Sequence, residues 1–269
     1  MTDVQLKAVK KNQSLAKAFR IIEKMAATRG PMRLQDIAHF TELPTSTALR
    51  FINTLMQQGY VTQDPETARY SLTFKLCQIA EEIRAGHRLT DIAHPFLVEL
   101  TSKAGESSCL AVEESGEVVY VDVVEGPLSV LQTLQRIGKR APLHSTGVGK
   151  SLLLNYSAEE ISRLVEAKGL PALTRRTIRD EESLRGELVK VARTGIGHDD
   201  EECEEGVRCV AAPVRDYTGK VTCSISVSGP VNRMTPARVE EISHTVREVA
   251  SSLSVRLGYT GGEESAKLN

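Results

Sequence analysis

The sequence predicts an α+β protein with a small helical front domain and a larger back domain. The back domain is expected to contain an antiparallel or mixed sheet covered by helices. Apolar residues recur at helical spacing through the first third of the chain. Beyond it, alternating segments flank tight turns, with helical stretches between them. No Rossmann glycine fingerprint favours a doubly wound parallel sheet, and 269 residues are enough for two domains.

Composition is that of an ordinary globular protein. Hydrophobic residues make up 41% and charged residues 26%, which excludes a wholly disordered or fibrous chain. No apolar run approaches the roughly 18 residues of a membrane span, and the polar N-terminus lacks the apolar core of a secretion signal. Five cysteines without CxxC spacing fit reduced thiols. We therefore expect no membrane contact and a cytoplasmic location.

Charge divides the chain where the periodicity changes. Residues 1–90 carry 13 Lys and Arg against 8 Asp and Glu, whereas residues 91–269 carry 21 against 27. A basic front and an acidic back indicate two domains with different partners, the first a polyanion. The alternative is a chance asymmetry of solvated faces.

Three helices are predicted in the front domain. The first begins at Ser14 and ends near Gly30, and the second begins at Arg33. After a turn that ends at Pro44, the third helix runs from about Thr45 to Gln58, and its apolar residues share one face. The other face is polar and free of acids, and it carries Thr45, Ser46, Thr47, Arg50 and Asn53.

This polar face suits the major groove of DNA. Small hydroxyls near the start of a helix can donate to phosphates or base edges, and Arg50 can reach guanine. Two alternating segments, 60–63 and 69–72, form a ribbon whose Arg69 is a candidate phosphate or minor-groove contact. We predict a winged helix-turn-helix over residues 14–74. The alternative is a three-helix interaction module without a nucleic acid partner.

The chain is thereby divided into five segments. They are a flexible tail at 1–13, the winged helix-turn-helix at 14–74, a linker helix at 75–89, a back domain at 90–259 and a flexible tail at 260–269. The back domain is expected to start with a helix at 90–103. Its strands are expected at 108–113, 118–124, 129–136, 207–214 and 220–227.

Two further helix starts are marked by capping residues in the back domain. Ser157 and Glu160 have the spacing of a capping box. Thr235 followed by Pro236 is typical of an N-cap with proline in the first helical position, and it predicts the last long helix.

Four constellations in the back domain could carry chemistry. The first is 144–151, which ends in Gly-Lys-Ser like a phosphate-binding loop but has His144 where that motif needs glycine. What remains is a glycine-permitted approach to a helix N-terminus, which favours a small anion such as a carboxylate. A purely structural glycine turn is the alternative.

The second constellation is the acid run 199–205, whose ordinary interpretation is a solvated loop. His198, Cys203 and Cys209 lie near it, but their spacing fits no common zinc pattern, so we predict no metal. The third is the strand segment 224–228. Alternation puts its three serine hydroxyls on one side, where they line a polar pocket or face water.

The fourth constellation is catalytic. Ser145 or Ser151 beside Lys150 could act as a Ser-Lys nucleophile, but the nucleophile elbow GxSxG is missing and His144 is merely adjacent in sequence. We therefore predict no catalytic residue and no cofactor. A small-molecule hydrolase with an accessory helical domain remains the leading enzyme alternative, and a protein-interaction adaptor is a third class.

Three separated groups of residues resemble the IclR family of bacterial transcriptional regulators over roughly residues 14–259. They are Leu34–Ala38 with Leu43–Ala48 and Gly59–Val61, then Arg136–Gly138 with Pro142–Lys150, and finally Asp199–Glu202 with Gly206–Ala211. Within the family, Arg69–Thr73 and Arg136–Arg140 are similar to regulators of sugar-acid catabolism.

The resemblance implies a winged helix-turn-helix, a linker helix used in dimerisation and a GAF-like domain that binds a small organic acid. It also implies a homodimer or a homotetramer, as members of the family form. It assigns the effector contacts to Gly147, Val148, Asp199, Cys209, Ser226 and Ser228, with Val130, Ala141 and Val207 as an apolar wall. Val148 is bulkier than the alanine that relatives often have, and Val130 and Ala141 stand where leucines can occur, so the effector can differ.

These observations together predict a regulator, not an enzyme. We expect a repressor that binds a double-stranded DNA operator. Its operator affinity is expected to change when a small carboxylate effector, an oxo acid or a sugar-acid derivative, enters the back domain.

Overall fold

A computed structural model describes residues 12–28, 30–86, 88–127 and 136–261 of the chain. These residues form two compact units that divide before Arg88. No helix among them is both long enough and apolar enough to cross a membrane.

The first unit has the three helices and the ribbon that the sequence predicts. Its elements are α1 (Gln13–Thr28), α2 (Leu34–Phe40), α3 (Thr45–Gln57), β1 (Val61–Gln63), β2 (Tyr70–Leu72) and α4 (Lys75–Gly86). The two strands are antiparallel, with Val61 opposite Leu72. Met32 forms an additional bridge to Tyr70, which the sequence did not predict. Ile21, Ile37 and Ile52, one from each of the first three helices, are fully buried at its centre.

The first unit begins and ends slightly differently from the expected boundaries. Gln13 belongs to α1 because the Asn12 side chain accepts hydrogen bonds from the N–H groups of the helix start, at 3.1 Å from Ser14 and 3.2 Å from Leu15. The linker helix α4 ends at Gly86, three residues before the expected boundary. Arg88 has an extended backbone and is the N-cap of the next helix, so Leu89 already belongs to that helix. Most of the two expected tails, 1–11 and 262–269, lies outside the described residues.

The second unit is a six-stranded sheet with helices on both faces. Its elements are α5 (Leu89–Ala104), β3 (Ser107–Glu114), β4 (Glu117–Val124), β5 (Arg140–Pro142), α6 (Gly147–Leu152), a short 3-10 turn (Leu153–Asn155), α7 (Ala158–Lys168), α8 (Glu181–Thr194), β6 (Gly197–Asp200), β7 (Val207–Arg215), β8 (Val221–Pro230) and α9 (Pro236–Arg256). The strand order is β5-β4-β3-β8-β7-β6, and every pair is antiparallel. The predicted α+β class is confirmed.

The two faces of this sheet have different cores. Leu110, Val210 and Ile225 pack with α5 and α9 in an apolar core. The opposite face packs against α6 and its neighbours through smaller residues, among them Cys109 and Ala211. Because side chains alternate along a strand, each strand contributes to both cores.

The capping signals in the sequence correspond to real helix starts. Ser157 and Glu160 form a complete capping box at α7, and Thr235 accepts a hydrogen bond from the backbone of α9. The expected strand at 129–136 lies almost wholly outside the described residues, and Arg136, its described end, is not in a strand. β5 and β6 were not predicted because three or four residues are too few for a period of two to stand out.

Candidate effector and nucleic-acid sites

A contact between two glycines positions the candidate effector site. Gly147, the first residue of α6, lies so close to β6 that a Cβ atom on it would be 2.9 Å from the carbonyl oxygen of Gly197. A Cβ atom on Gly197 would in turn lie 2.4 Å from the carbonyl oxygen of Gly147. Any side chain at either position would separate the helix from the sheet. The start of α6 therefore lies directly over the strands that follow.

A row of polar side chains crosses the sheet beneath α6. Asp199 on β6 is opposite Cys209 on β7, which is opposite Ser228 on β8. Ser226 lies two residues before Ser228 on β8, so its side chain is on the same face. Asp199 is 5% exposed and Cys209 is 4% exposed, while the two serines are 2% exposed or less. The structure thus brings together four residues from three neighbouring strands.

The strand register confirms that the serine hydroxyls of 224–228 share one side. Ser224, Ser226 and Ser228 are all buried, so they do not face water. Ser224 Oγ donates to the carbonyl oxygen of Ala212 at 2.9 Å, whereas Ser226 Oγ lies 3.0 Å from the Sγ atom of Cys109. Ser224 is therefore bound to the backbone, and Ser226 meets another side chain of the site.

The acid run 199–205 is not one solvated loop, because its first residue is buried. Asp199 Oδ1 accepts hydrogen bonds from the backbone N–H groups of Glu202 at 2.7 Å and Cys203 at 3.2 Å. Burial raises the pKa of Asp199 to about 7, even though these two hydrogen bonds act in the opposite direction. Close to neutral pH this carboxyl group can therefore gain or lose a proton.

A buried ion pair that the sequence analysis missed lies next to Asp199. The Lys150 side chain on α6 is fully buried, and its Nζ atom donates to Glu202 Oε1 at 2.6 Å and to the carbonyl oxygen of His198 at 2.8 Å. Burial raises the pKa of Glu202, and Lys150 opposes that shift. Sequence reasoning had considered Lys150 only as part of a phosphate loop or a nucleophile.

Ser145 is a second residue whose place the sequence did not reveal. Its Oγ atom is buried and accepts no hydrogen bond from an N–H or O–H group within the described part of the chain, and it lies beside the Cys203 thiol. A thiol is only a weak hydrogen-bonding partner, so the Ser145 hydroxyl can still donate to a ligand. Burial raises the pKa of Cys203 to about 12 and that of Cys209 to about 11, which keeps both thiols protonated.

The apolar residues assigned to the pocket are only partly described. Val148 is fully buried, and Ala141 on β5 belongs to the same cluster. Val207 lies two residues before Cys209 on β7 and is 8% exposed, so it shares the face of the polar row. Val130 lies outside the described residues.

The constellation required by a hydrolase does not form. Ser151 Oγ donates to the carbonyl oxygen of Gly147, and Lys150 is bound to Glu202. His144 Nε2 lies 3.2 Å from the carbonyl oxygen of Pro171. Neither serine is therefore paired with a base among the residues that the structure describes. Within the same residues, no three His, Cys, Asp or Glu side chains are arranged to hold a metal ion.

The candidate DNA-contacting residues lie on the outer side of α3. Thr45, Ser46, Arg50 and Asn53 are exposed, Thr47 is half-buried, and the helix contains no acid. Thr47, Arg50 and Asn53 also line a groove of about 560 Å³ that α1 closes with Ser14 and Lys17. Lys17 adds a positive charge that the sequence analysis did not assign to this surface.

Arg69 occupies a different part of the first unit. It immediately precedes β2, is half-buried, and its Nη1 atom donates to the carbonyl oxygen of Pro31 at 3.4 Å. This bond uses one of five guanidinium donors. It ties the ribbon to the segment between α1 and α2 and leaves other donors of Arg69 for a phosphate.

Two family models match this chain. A model of the IclR helix-turn-helix domain matches residues 14–65, and a model described as bacterial transcriptional regulator IclR C-terminal matches residues 83–255. Together they span both units.

Whole-chain comparisons point the same way. The transcriptional repressor IclR of Escherichia coli is 31% identical over 248 residues, which cover 91% of this chain and 90% of that protein. The crystal structure of Thermotoga maritima IclR is 30% identical and has a TM-score of 0.61, covering 93% of this chain and all of that one. An IclR homologue from Microbacterium hydrocarbonoxydans, crystallised with 4-hydroxybenzoate, is 25% identical, has a TM-score of 0.58 and covers 91% of this chain and 98% of that one.

The buried Lys150–Glu202 pair generates a stability prediction. Lys150→Met removes the cation and leaves a carboxylate with a 12% exposed side chain unpaired, so we expect a loss of about 3 to 5 kcal/mol in the free energy of unfolding. The double variant Lys150→Met/Glu202→Met should recover most of this loss, because it removes both charges. Urea unfolding measures both. Equal stability of the single and double variants would contradict the role of the pair.

The raised pKa of Asp199 predicts that stability depends on pH. Between about pH 4 and pH 7 the folded protein holds a proton that the unfolded chain has released, so the stability due to the neutral carboxyl group falls as pH rises. Asp199→Asn cannot ionise. We expect the free energy of unfolding of this variant, relative to that of the parent protein, to rise by up to about 1.4 kcal/mol per pH unit in this range and to rise no further above it.

Urea unfolding of both proteins at about pH 5 and about pH 8 measures this difference, and the lower pH is the internal control. A stability difference that is the same at both pH values would show that Asp199 titrates normally.

Proposed function

Because the chain belongs to the IclR family of bacterial transcriptional regulators, we propose that it is a repressor whose affinity for a DNA operator changes when a small organic acid binds to the second unit. The observation that carries this proposal is the buried polar row of Asp199, Cys209, Ser226 and Ser228 beneath α6. Asp199 accepts two backbone N–H groups, and the Cys209 thiol contacts the hydroxyls of both serines. A few polar side chains placed together in otherwise apolar surroundings are what binding sites use to orient a small polar ligand.

The DNA-binding surface in this proposal is the outer side of α3 with the ribbon beside it. Hydroxyls at the start of α3 can bind phosphates and orient the helix, and Arg50 can bind the acceptor atoms of guanine in the major groove. The acid-free face is important because a carboxylate there would repel the phosphate backbone. Lys17 adds a positive charge along the groove of α3, and Arg69 adds one on the ribbon. A regulator that binds DNA acts where the chromosome is, so we place it in the cytoplasm.

The effector in this proposal is a small carboxylate. The N–H groups of Gly147 and Val148 occupy the first two positions of α6 and have no acceptor within the helix. The hydroxyls of Ser226 and Ser228 contact the Cys209 thiol and that of Ser145 contacts the Cys203 thiol. Thiols are weak hydrogen-bonding groups, which a carboxylate can replace as the partner of a hydroxyl. The relative crystallised with 4-hydroxybenzoate is a precedent for a carboxylate in a homologous protein. Oxo acids and sugar-acid derivatives are the classes that we would test first.

The effector acts on DNA affinity by a difference in binding. An effector shifts operator affinity only when it binds the DNA-competent and the DNA-incompetent states unequally, and a coupling of about 1 to 3 kcal/mol is enough for regulation. In a homodimer or a homotetramer, we propose that the spacing of two helix-turn-helix units is what changes, because half-site spacing limits how dimers bind DNA.

Arg50 and Arg69 should have separable effects on operator binding. Arg50→Ala should cost about 1 to 3 kcal/mol and relax the sequence preference, because a base contact is lost. Arg69→Ala should weaken binding to all DNA sequences alike, because a phosphate contact is lost. It should also reduce the slope of the logarithm of the binding constant against the logarithm of the salt concentration by about 1.

Gel shift or fluorescence anisotropy with operator and scrambled duplexes at several salt concentrations measures these effects. Arg163→Ala, which removes an exposed arginine from α7 of the second unit, is the control for the loss of one positive charge. Unchanged operator binding in both the Arg50 and the Arg69 variants would contradict insertion of α3 into the groove.

Ser226 and Ser224 form a matched pair for testing the effector site. Ser226→Ala should preserve operator binding without effector but reduce effector affinity about tenfold, since a hydroxyl contact contributes about 1 to 1.5 kcal/mol. Ser224→Ala removes a hydroxyl from the same face of β8 that is bound to the backbone, so effector affinity should stay unchanged. Equal effects of the two substitutions on effector affinity would place the effector elsewhere.

A further inference from the structure

Among the residues that the structure describes, the charges buried beneath α6 leave no unpaired cation for a bound carboxylate. Lys150 Nζ is already bound to Glu202 and to the carbonyl oxygen of His198. Asp199 makes no ion pair with any residue that the structure describes, and its Oδ1 atom accepts two backbone N–H groups. Lys150 and Glu202 cancel in charge. An ionised Asp199 would therefore make the site negative before any effector arrives.

The thiol and phenol groups of the site do not compensate for this charge. Burial raises the pKa of Tyr120 on β4 and of Cys109 on β3 above their ordinary values, as it does for Cys203 and Cys209. All four are therefore neutral near pH 7. They can donate hydrogen bonds to an anion but cannot balance its charge.

Further charged or titratable groups lie around this row. Among them, Asp200 acts on His198 and Glu204 acts on Cys203, and both are acids. Burial lowers the pKa of His198 on β6, so its ring is neutral near pH 7. Glu187 on α8 adds a negative charge that acts on both His198 and Glu202. None of these groups offers a counter-charge to an anion beside Asp199.

A carboxylate effector in this site would thus meet a second carboxyl group without a cation between them. Two carboxylates in apolar surroundings cannot both stay ionised, and one of them takes up a proton. Small oxo acids are stronger acids than Asp199, whose carboxyl is shielded from water, so the proton stays on Asp199. A neutral carboxyl group gains an O–H donor, whereas an ionised one only accepts.

We propose that the effector enters this site as a carboxylate together with one proton, and that Asp199 carries this proton and donates a hydrogen bond to the effector. This inference rests on the proposed function, since it concerns the same effector site. It also defines the ligand class: the site takes monocarboxylates, and a dicarboxylate would need a second proton. Regulation by this effector is then coupled to pH.

Proton uptake by the unmodified full-length protein tests this proposal directly. The probes are pyruvate, glyoxylate and 4-hydroxybenzoate, and binding is measured by titration calorimetry in two buffers with different ionisation heats. With a pKa of about 7 for Asp199, we expect nearly one proton taken up per ligand at about pH 8 and little at about pH 6. The dissociation constant should be about tenfold higher at the upper pH. Binding without proton uptake, or with proton release, would overturn the proposal.

Asp199→Asn distinguishes a neutral donor from an ionised acceptor. Its amide can accept the two backbone N–H groups through oxygen and donate through nitrogen, like the neutral acid. We expect this variant to bind the same acids without proton uptake and with one affinity at both pH values. Loss of binding by a variant that keeps the parent's melting temperature would mean that the ionised carboxylate is needed, and would overturn the proposal.

Failure of this inference and failure of the proposed function give different results. If an acid binds and changes operator affinity but takes up no proton, the repressor function stands and the role of Asp199 is wrong. If no acid of the panel binds at either pH, the small-carboxylate effector is wrong and the proton coupling with it. Operator binding measured without any effector shows whether the DNA-binding function survives in that case.

Discussion

The close approach of Gly147 to Gly197 is the constraint on which the second unit depends. The two backbones meet without side chains, so α6 begins at the sheet surface and not one side-chain layer above it. This contact brings the N–H groups of α6 within reach of residues on β6 and β7. It also brings Lys150, one turn later, to the carbonyl oxygen of His198 and the carboxylate of Glu202. A larger residue at either glycine would move the helix and separate these groups.

The two faces of the same sheet differ in how much their cores stabilise the second unit. The face under α5 and α9 is an apolar core of large side chains, and it supplies stability in the ordinary way through area removed from water. The face under α6 carries a carboxyl group, hydroxyls and thiols in the same degree of burial. A polar core of this kind stabilises less than an apolar one, and local rules are commonly broken where function requires it. One face therefore holds the unit together, and the other provides the chemistry.

The division of charge along the chain has a structural counterpart in the first unit. Its candidate DNA-binding helix contains one arginine and no acid, and Lys17 on α1 lies along the same groove. In the second unit a run of acids spans the end of β6 and the turn to β7, and two of its residues pair with arginines of other segments. Asp200 pairs with Arg176 and Arg208, and Glu201 pairs with Arg176. The start of this acidic segment is therefore positioned by the buried hydrogen bonds of Asp199 together with partly exposed ion pairs, and it is not wholly solvated.

By itself the sequence determined the local structure that depends on near neighbours. The helical stripes of the first unit, the caps at Ser157 and Thr235 and the shared face of Ser224, Ser226 and Ser228 follow from periods of 3.6 and 2 and from hydrogen bonds within one turn. The tertiary structure decided which distant residues meet. Nothing within a few residues of Lys150 indicates that its ammonium reaches Glu202, 52 residues later, because the strand register and a contact between two glycines create that neighbourhood. The burial of Asp199, and with it the charge of the site, depends on the same packing.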